Sequence, residues 1–466
     1  MTNPHLTVTA RIARFIRALD IADVPPEVSE KARTCLLNGY GIALGCYDTP
    51  YAVVARSAAL NMYGEHPAGA TLLGDGRRTA IAGTVLANAA LFHGRAQEDT
   101  CGAAHLGTVL IPLLTALIET KGYSLAKLLP ALLAGYETGG LLEKAYAGST
   151  TPAGFRASPV YGTLAAAAAT AKLMDLPEDR IAAALANAAS FCGGILQSFS
   201  DGTDEWRYQV GIAAQVGLAA TELACAGSVS APHAIEGKAG FVRAFAKQDC
   251  DVDALVSGLG KDWAVMRVTF KPYPVCAFNQ TPVTAALAMR EKLAGAGIAA
   301  VRVHMNPYET GYAGMDATGP FDSVSGTLMS IPFCIATTLV HGVPDMARMT
   351  TYDDSAVNAL IPRIRLVGDA DVPPLCCRIE VSTVDARTLV QDQRMTTRDF
   401  AFDRKGVSAL IRRIGAEQAV PMQSYDVLEA FVDSLPGGSI HEVLRAFTLM
   451  PAARRAARTA KSVRTA

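Results

Sequence analysis

Between residue 28 and about residue 265, apolar residues recur at three- and four-residue spacing in segment after segment, at 28–44, 80–93, 108–121, 124–146, 161–174, 177–189, 210–226 and 251–259. Several of these segments are apolar on nearly every side. A helix of that kind has no face to offer water and must sit inside a multi-helix domain. Ala and Gly dominate them, as in 164–171, so helix axes can approach closely. This pattern confines the first part of the chain to a large, mainly helical body.

Near residue 266 the texture changes. The stretches 266–273, 299–305, 364–367, 376–384 and 388–394 are rich in Val, Ile, Thr and Arg with partial alternation, which predicts strands. Helical spacing returns between them at 281–293 and 331–341, and after Phe402 at 406–414, 424–435 and 439–450. The expected fold is mainly α with a smaller α+β domain. The helical domain spans 1–265 and is completed by 404–450, which makes the α+β domain, 266–403, an insertion. The last segment, 451–466, carries Arg454, Arg455, Arg458, Lys461 and Arg464 and no acid, and is expected to be a solvated basic tail.

A chain of 466 residues, half of them hydrophobic, suits two domains. With 42 Lys and Arg against 43 Asp and Glu, no global field favours nucleic acid or an anionic membrane. Ten cysteines without Cys-x-x-Cys spacing argue against a zinc site or redox pair and for buried thiols in a reducing compartment. Residues 1–14 lack the apolar stretch of a secretory signal. The run 106–118 is shorter than the roughly 18 residues of a membrane span and contains Pro112. A cytoplasmic protein, with neither nucleic acid nor membrane as partner, is the expectation.

Four segments could carry chemistry. The first, His93-Gly-Arg-Ala-Gln-Glu98-Asp99-Thr100-Cys-Gly-Ala-Ala-His105, joins two apolar helices and offers two acids, a hydroxyl and two histidines. Such a loop suits proton transfer, and equally a polar cap with surface acids. The second is Gly154-Phe-Arg156-Ala-Ser158-Pro159. A helix starting near Pro159 places Arg156 ahead of free N–H groups, a carboxylate-binding arrangement or a solvated cation. The third, Trp206-Arg207-Tyr208-Gln209, is either a pocket wall with polar groups facing a ligand or an aromatic packing corner. The fourth, Lys271-Pro-Tyr273-Pro-Val-Cys276 with Gln280 behind it, lies where the domains change. Its prolines fix the backbone and could present Lys271, Tyr273 or Cys276 to a crevice. There is no Gly-x-Gly-x-x-Gly after a strand, no phosphate loop, no Gly-x-Ser-x-Gly and no metal-ligand cluster.

Taken in order, these segments resemble the MmgE/PrpD family. The resemblance rests on Asn88-Ala-Ala-Leu-Phe-His93, Glu98-Asp99-Thr100 with His105, Gly135-Tyr136-Glu137 and Gly154-Phe-Arg156. It continues through Gly211-Ile-Ala-Ala-Gln-Val-Gly217, Ile235-Glu-Gly237 and Lys271-Pro-Tyr-Pro-Val-Cys276. It implies a helical domain built from both chain ends, an α+β lid, a homodimer, a site in the crevice between the domains, and chemistry without metal or other cofactor. The family includes 2-methylcitrate dehydratase, cis-aconitate decarboxylase and iminodisuccinate epimerase, which share proton transfer next to a carboxylate.

The resemblance makes His105 the first choice for general acid or base, with Asp99 and Thr100 placing it or the substrate and Lys271 or Tyr273 as a second group. The chain also departs from the family pattern. Ala96 and Gln97 replace the leading Asp-Phe of the family loop, and the stretch from Thr100 to His105 is one residue shorter. Arg156 stands where many relatives have His. Trp206 and Gln209, with Arg207 beside them, stand where relatives have Lys and His, and Gln280 replaces a further His. Arginine keeps positive charge but cannot titrate near neutrality. Arg156 and Arg207, aided by Trp206, Gln209 and Gln280, are therefore expected to bind carboxylates. The expected activity is a cofactor-independent lyase, a dehydratase or decarboxylase, of a small di- or tricarboxylate. An epimerase or isomerase of similar acids and a non-catalytic carboxylate-binding homologue are the alternatives.

Overall fold

The computed structural model describes residues 7–47 and 49–450; the basic tail lies outside them. The long helices Pro26–Leu44, Ile81–Phe92, Leu106–Lys121, Leu128–Thr150, Ala157–Leu173, Glu178–Phe191 and Glu205–Cys225 pack round one another. Every residue from Leu164 to Ala169 is fully buried. The small residues explain how: a Cβ on Gly217 would lie 2.4 Å from that of Ala166, so Glu205–Cys225 can approach Ala157–Leu173 only because position 217 has no side chain.

After the lid, Arg404–Glu417, Met422–Ser434 and Ile440–Thr448 return to this core. Ile411 seats against Gly41, with no room there for a Cβ, and Arg33 Nη1 donates to Leu435 O at 3.0 Å. Burial of the Ile411 side chain contributes about 2 to 3 kcal/mol relative to exposure.

The lid is built on a four-stranded sheet. Ile298–Met305 runs parallel to Ile364–Gly368 on one side and antiparallel to Cys376–Thr383 on the other, and Thr388–Arg394 forms the far edge. Along the Cys377–Val381 stretch, buried Cys377, Ile379 and Val381 alternate with Arg378 and Glu380. The buried face packs on Gln280–Leu293, which also packs on Ile331–His341. Helical domain and smaller α+β part together match the fold class that the sequence predicts.

Local differences from that reading have physical causes. Of the strand expected at 266–273, only Val268–Thr269 forms, because Pro272 and Pro274 have no N–H to donate. It pairs with Thr100–Cys101, so the first candidate loop is stitched to the base of the lid. The helix expected from residue 210 begins at Glu205, which puts Trp206, Arg207 and Gln209 in its first turns. Tyr51, Ala96, Leu196, Phe199 and Trp206 of the helical part belong to the lid's hydrophobic cluster, so the two parts share a packed seam. Among the described residues, no helix is long and apolar enough to cross a membrane.

Candidate active site

The loop between Ile81–Phe92 and Leu106–Lys121 lies on this seam. Ala96 adopts a left-handed conformation (φ 56°), and its carbonyl accepts from Lys271 Nζ at 2.7 Å. The same ammonium reaches Glu98 Oε1 at 2.6 Å, and both side chains are buried. Lys271 therefore clamps the loop, offsetting the cost of bending it at a non-glycine residue.

His105 sits immediately before the helix Leu106–Lys121. Its N–H donates to Ser158 Oγ at 3.0 Å, and its carbonyl accepts from Thr108 Oγ1 at 2.8 Å. Its ring Nδ1 lies 3.0 Å from Asp99 O. A carbonyl only accepts, so Nδ1 carries the proton, and Nε2 keeps a lone pair on a ring that lines a cavity. Burial, then the charge of Lys271, holds the His105 pKa well below the usual histidine range. The ring is neutral at physiological pH and can accept a proton.

His93 is fully buried, and its Nε2 lies 2.7 Å from Arg156 Nη2. A guanidinium only donates, so the His93 proton is on Nδ1, 3.1 Å from Glu98 Oε2, though not aligned as a hydrogen bond. Burial takes the His93 pKa down to about 4. Burial acts to raise Glu98, but Lys271 and then His93 outweigh it and keep this carboxylate ionised.

Arg156 caps the N-terminus of Ala157–Leu173 and is 2% exposed. It donates to Trp206 O, to Gln209 Oε1 at 3.2 Å and to His93. Among the described residues it makes no ion pair with a carboxylate. Burial lowers its pKa only to about 10, so it remains a cation. A buried, uncompensated guanidinium lining a cavity is costly in isolation and favours an anionic ligand. The remaining walls include Phe199, Trp206, Phe278, Tyr312, Leu328 and Met329, round about 590 Å³ of space counting the mouth.

The other sequence-predicted residues are placed as follows. Thr100 lines the cavity, and its Oγ1 is buried without a partner. The Asp99 carboxylate accepts from Tyr136 Oη, and burial raises its pKa to about 6; its contribution at the cavity is the carbonyl that orients His105. Gln209 holds Arg156 on one side and donates to Ile195 O at 3.1 Å on the other. Gln280 exchanges hydrogen bonds with the main chain of Tyr273 and donates to Val275 O, fixing the proline turn. Tyr273 and Gln280 are outside the cavity lining, and so is Arg207, which stacks on Tyr51 and Trp206 and donates to Ser325 and Asp204. Cys276 does line it, but burial raises its thiol, which disfavours a nucleophile.

Sequence reasoning assigned no role to Glu98 or His93, although both stand in the first candidate loop. Phe199, Phe278, Tyr312, Leu328 and Met329 also escaped it. Nothing in an apolar or aromatic residue's local pattern distinguishes a cavity wall from a core. Among the described residues, no group of three or more His, Cys, Asp or Glu side chains is arranged to hold a metal ion.

The large helical body and the α+β lid thus meet at a packed seam, with a cavity lined by both His105 and Arg156. Residues 10–252 match the MmgE/PrpD N-terminal domain and residues 273–406 the MmgE/PrpD C-terminal domain, and the chain belongs to the MmgE/PrpD family. Among curated proteins it is similar to cis-aconitate decarboxylase of Aspergillus terreus (strain NIH 2624 / FGSC A1156), 26% identical over 376 residues, 76% of each chain. It is also similar to a cis-aconitate decarboxylase-like protein of Aspergillus oryzae, 28% identical over 287 residues, 58% of this chain and 59% of the relative.

Proposed function

We propose that this chain is a lyase acting on a small di- or tricarboxylate, with His105 moving the proton, and that decarboxylation of an unsaturated acid of the cis-aconitate kind is its reaction. One observation carries the reading: His105, with Nδ1 held by Asp99 O, and the uncompensated Arg156 line the same cavity. Similarity to cis-aconitate decarboxylases supports the choice of reaction.

In this scheme Arg156 takes one substrate carboxylate. The C–C bond to a second carboxylate breaks and CO₂ departs. The electron pair left behind shifts through the neighbouring double bond, and a proton is added to carbon at its far end. His105 delivers that proton from Nε2, having taken it up from solvent. The substrate's negative charges offset Lys271 and Arg156, which depress the ring's pKa, and so favour the imidazolium. The neutral His105 ring supports a second reading. His105 then abstracts a proton next to a carboxylate and hydroxide leaves, which is dehydration. Both schemes use only groups of this chain. We further propose a homodimer, supported by the exposed Ile212 and Leu223 on the helix Glu205–Cys225; light scattering should give twice the chain mass.

Proton NMR in D₂O with cis-aconitate, citrate and 2-methylcitrate tests the reading. Loss of CO₂ with one deuterium gained at carbon, or loss of water with none gained, is expected, either falling at least roughly a hundredfold in His105→Gln. An unchanged rate in that variant removes His105 from the mechanism. Binding without turnover of any acid leaves a carboxylate-binding homologue.

A further inference from the structure

A second, wider cleft of about 1170 Å³, counting its mouth, adjoins the cavity and shares Thr100, Gly102, Lys271, Ala277 and Phe278 with it. Its charged lining is of one sign. Arg267, Lys271 and Arg398 contribute to it, and among the described residues no Asp or Glu does. Lys271 is neutralised by Glu98. Arg267 donates to Gly140 O at 2.8 Å and lies 3.8 Å from Glu143, and its buried Nε has no partner. Arg398 is exposed and makes no ion pair among the described residues; the neighbouring Asp399 is committed to Thr396 N and Oγ1.

We propose that this outer cleft is a second carboxylate subsite, with Arg398 of the lid as its anion ligand, so that the complete site selects a tricarboxylate over a dicarboxylate. The inference rests on the proposed function for its substrate class. The inner cavity is smaller than the outer cleft, and among the described residues lining it Arg156 is the cation without a carboxylate partner. A ligand whose one carboxylate meets Arg156 finds few positive groups in the inner cavity for its others. A further carboxylate has cations waiting beyond the shared wall of Thr100 and Phe278. Arg398 lies on the segment joining the strand Thr388–Arg394 to the returning helices, so a ligand reaching it bridges the helical body and the lid.

The test uses two acids that cannot react, tricarballylate and glutarate, titrated calorimetrically into wild type, Arg398→Gln and Arg398→Glu. Wild type should prefer tricarballylate. Arg398→Gln should reduce that preference roughly three- to fivefold, as expected for an exposed ion pair, with glutarate affinity unchanged. Arg398→Glu should reduce it further. Equal losses for both acids, or none, would overturn the subsite. Because the readout is binding, it stands apart from catalysis. If wild type turns over no acid but discriminates through Arg398, the proposed lyase activity fails and the subsite stands. Turnover with discrimination indifferent to Arg398 sinks the subsite alone.

Discussion

Arg156 and Arg207 are both buried, and both have their guanidinium over the ring of Trp206. Their surroundings differ. Arg207 is tied down: Tyr51 and Trp206 stack on it at 3.7 and 3.9 Å, Asp204 pairs with it at 3.2 Å, and Ser325 of the lid accepts from it. Arg156 meets only neutral acceptors and lines the cavity. A buried cation with its counter-ion supplied is a structural clamp, whereas one whose counter-ion is left out stands to gain from an anionic ligand, the role proposed for Arg156. Chemistry at the level of residue type cannot separate the two, since both are arginines near the same tryptophan.

The largest separation should come from Arg156→Met. It removes the proposed carboxylate ligand, with an expected cost of about 3 kcal/mol in substrate binding, roughly a hundredfold in kcat/KM. Its effect on unfolding should be small, because an uncompensated buried charge goes with it. Steady-state kinetics beside urea unfolding checks both halves. Activity retained in a well-folded Arg156→Met protein would break the comparison.

Arg207→Met should show the opposite balance. It loses two stacking contacts and the hydrogen bonds to Ser325 and Asp204, offset in part by relief of Nε and Nη2, which are buried without partners. The net loss is about 2 kcal/mol of stability, read as a lower urea midpoint. Where the protein remains folded, the KM for the carboxylate should stay within roughly threefold of wild type. A KM effect matching that of Arg156→Met would place Arg207 at the ligand after all.

How much of this was legible in sequence follows from what each residue's role depends on. The helical body was readable because all-round apolarity with Ala and Gly admits few other folds. His105 and Lys271 were readable as candidates for the cavity because their loops are short connections between apolar elements, and both line it. The division of labour between Arg156 and Arg207 was not, because it depends on Ser325 and Tyr51, 118 and 156 positions away along the chain. Gln280 shows the same limit. An amide after a proline turn can serve a ligand or the turn's own carbonyls, and only the folded backbone shows that it bonds Tyr273 and Val275. Glu98 went unassigned because its partner, Lys271, is 173 positions along the chain.

The smallest effect concerns pH and separates the two arginines through their fields. Arg156 is among the charges that depress both His93 and His105, whereas Arg207 is not among the leading causes for either. Burial brings the His93 pKa down to about 4 in the folded protein, against an ordinary value of 6.5. As pH falls through that interval, the unfolded chain takes up its proton first, and stability drops by up to about 3 kcal/mol. Asp99 acts with the opposite sign, since its pKa is raised from 3.8 to about 6 and its share of stability is lost as pH rises through that window. Its leading causes do not include Arg156, so it cancels when each variant is compared with wild type at the same pH. Arg156→Met should raise the His93 and His105 titrations by roughly half a unit and lessen the acid destabilisation accordingly. Arg207→Met should leave both where they are. Histidine Cε1–H shifts followed from neutral pH down to the acid limit of the folded state measure the first effect, and urea midpoints at either end measure the second. Equal shifts in the two variants would mean that the guanidiniums act through general burial, and the distinction between clamp and binding site would lose its electrostatic basis.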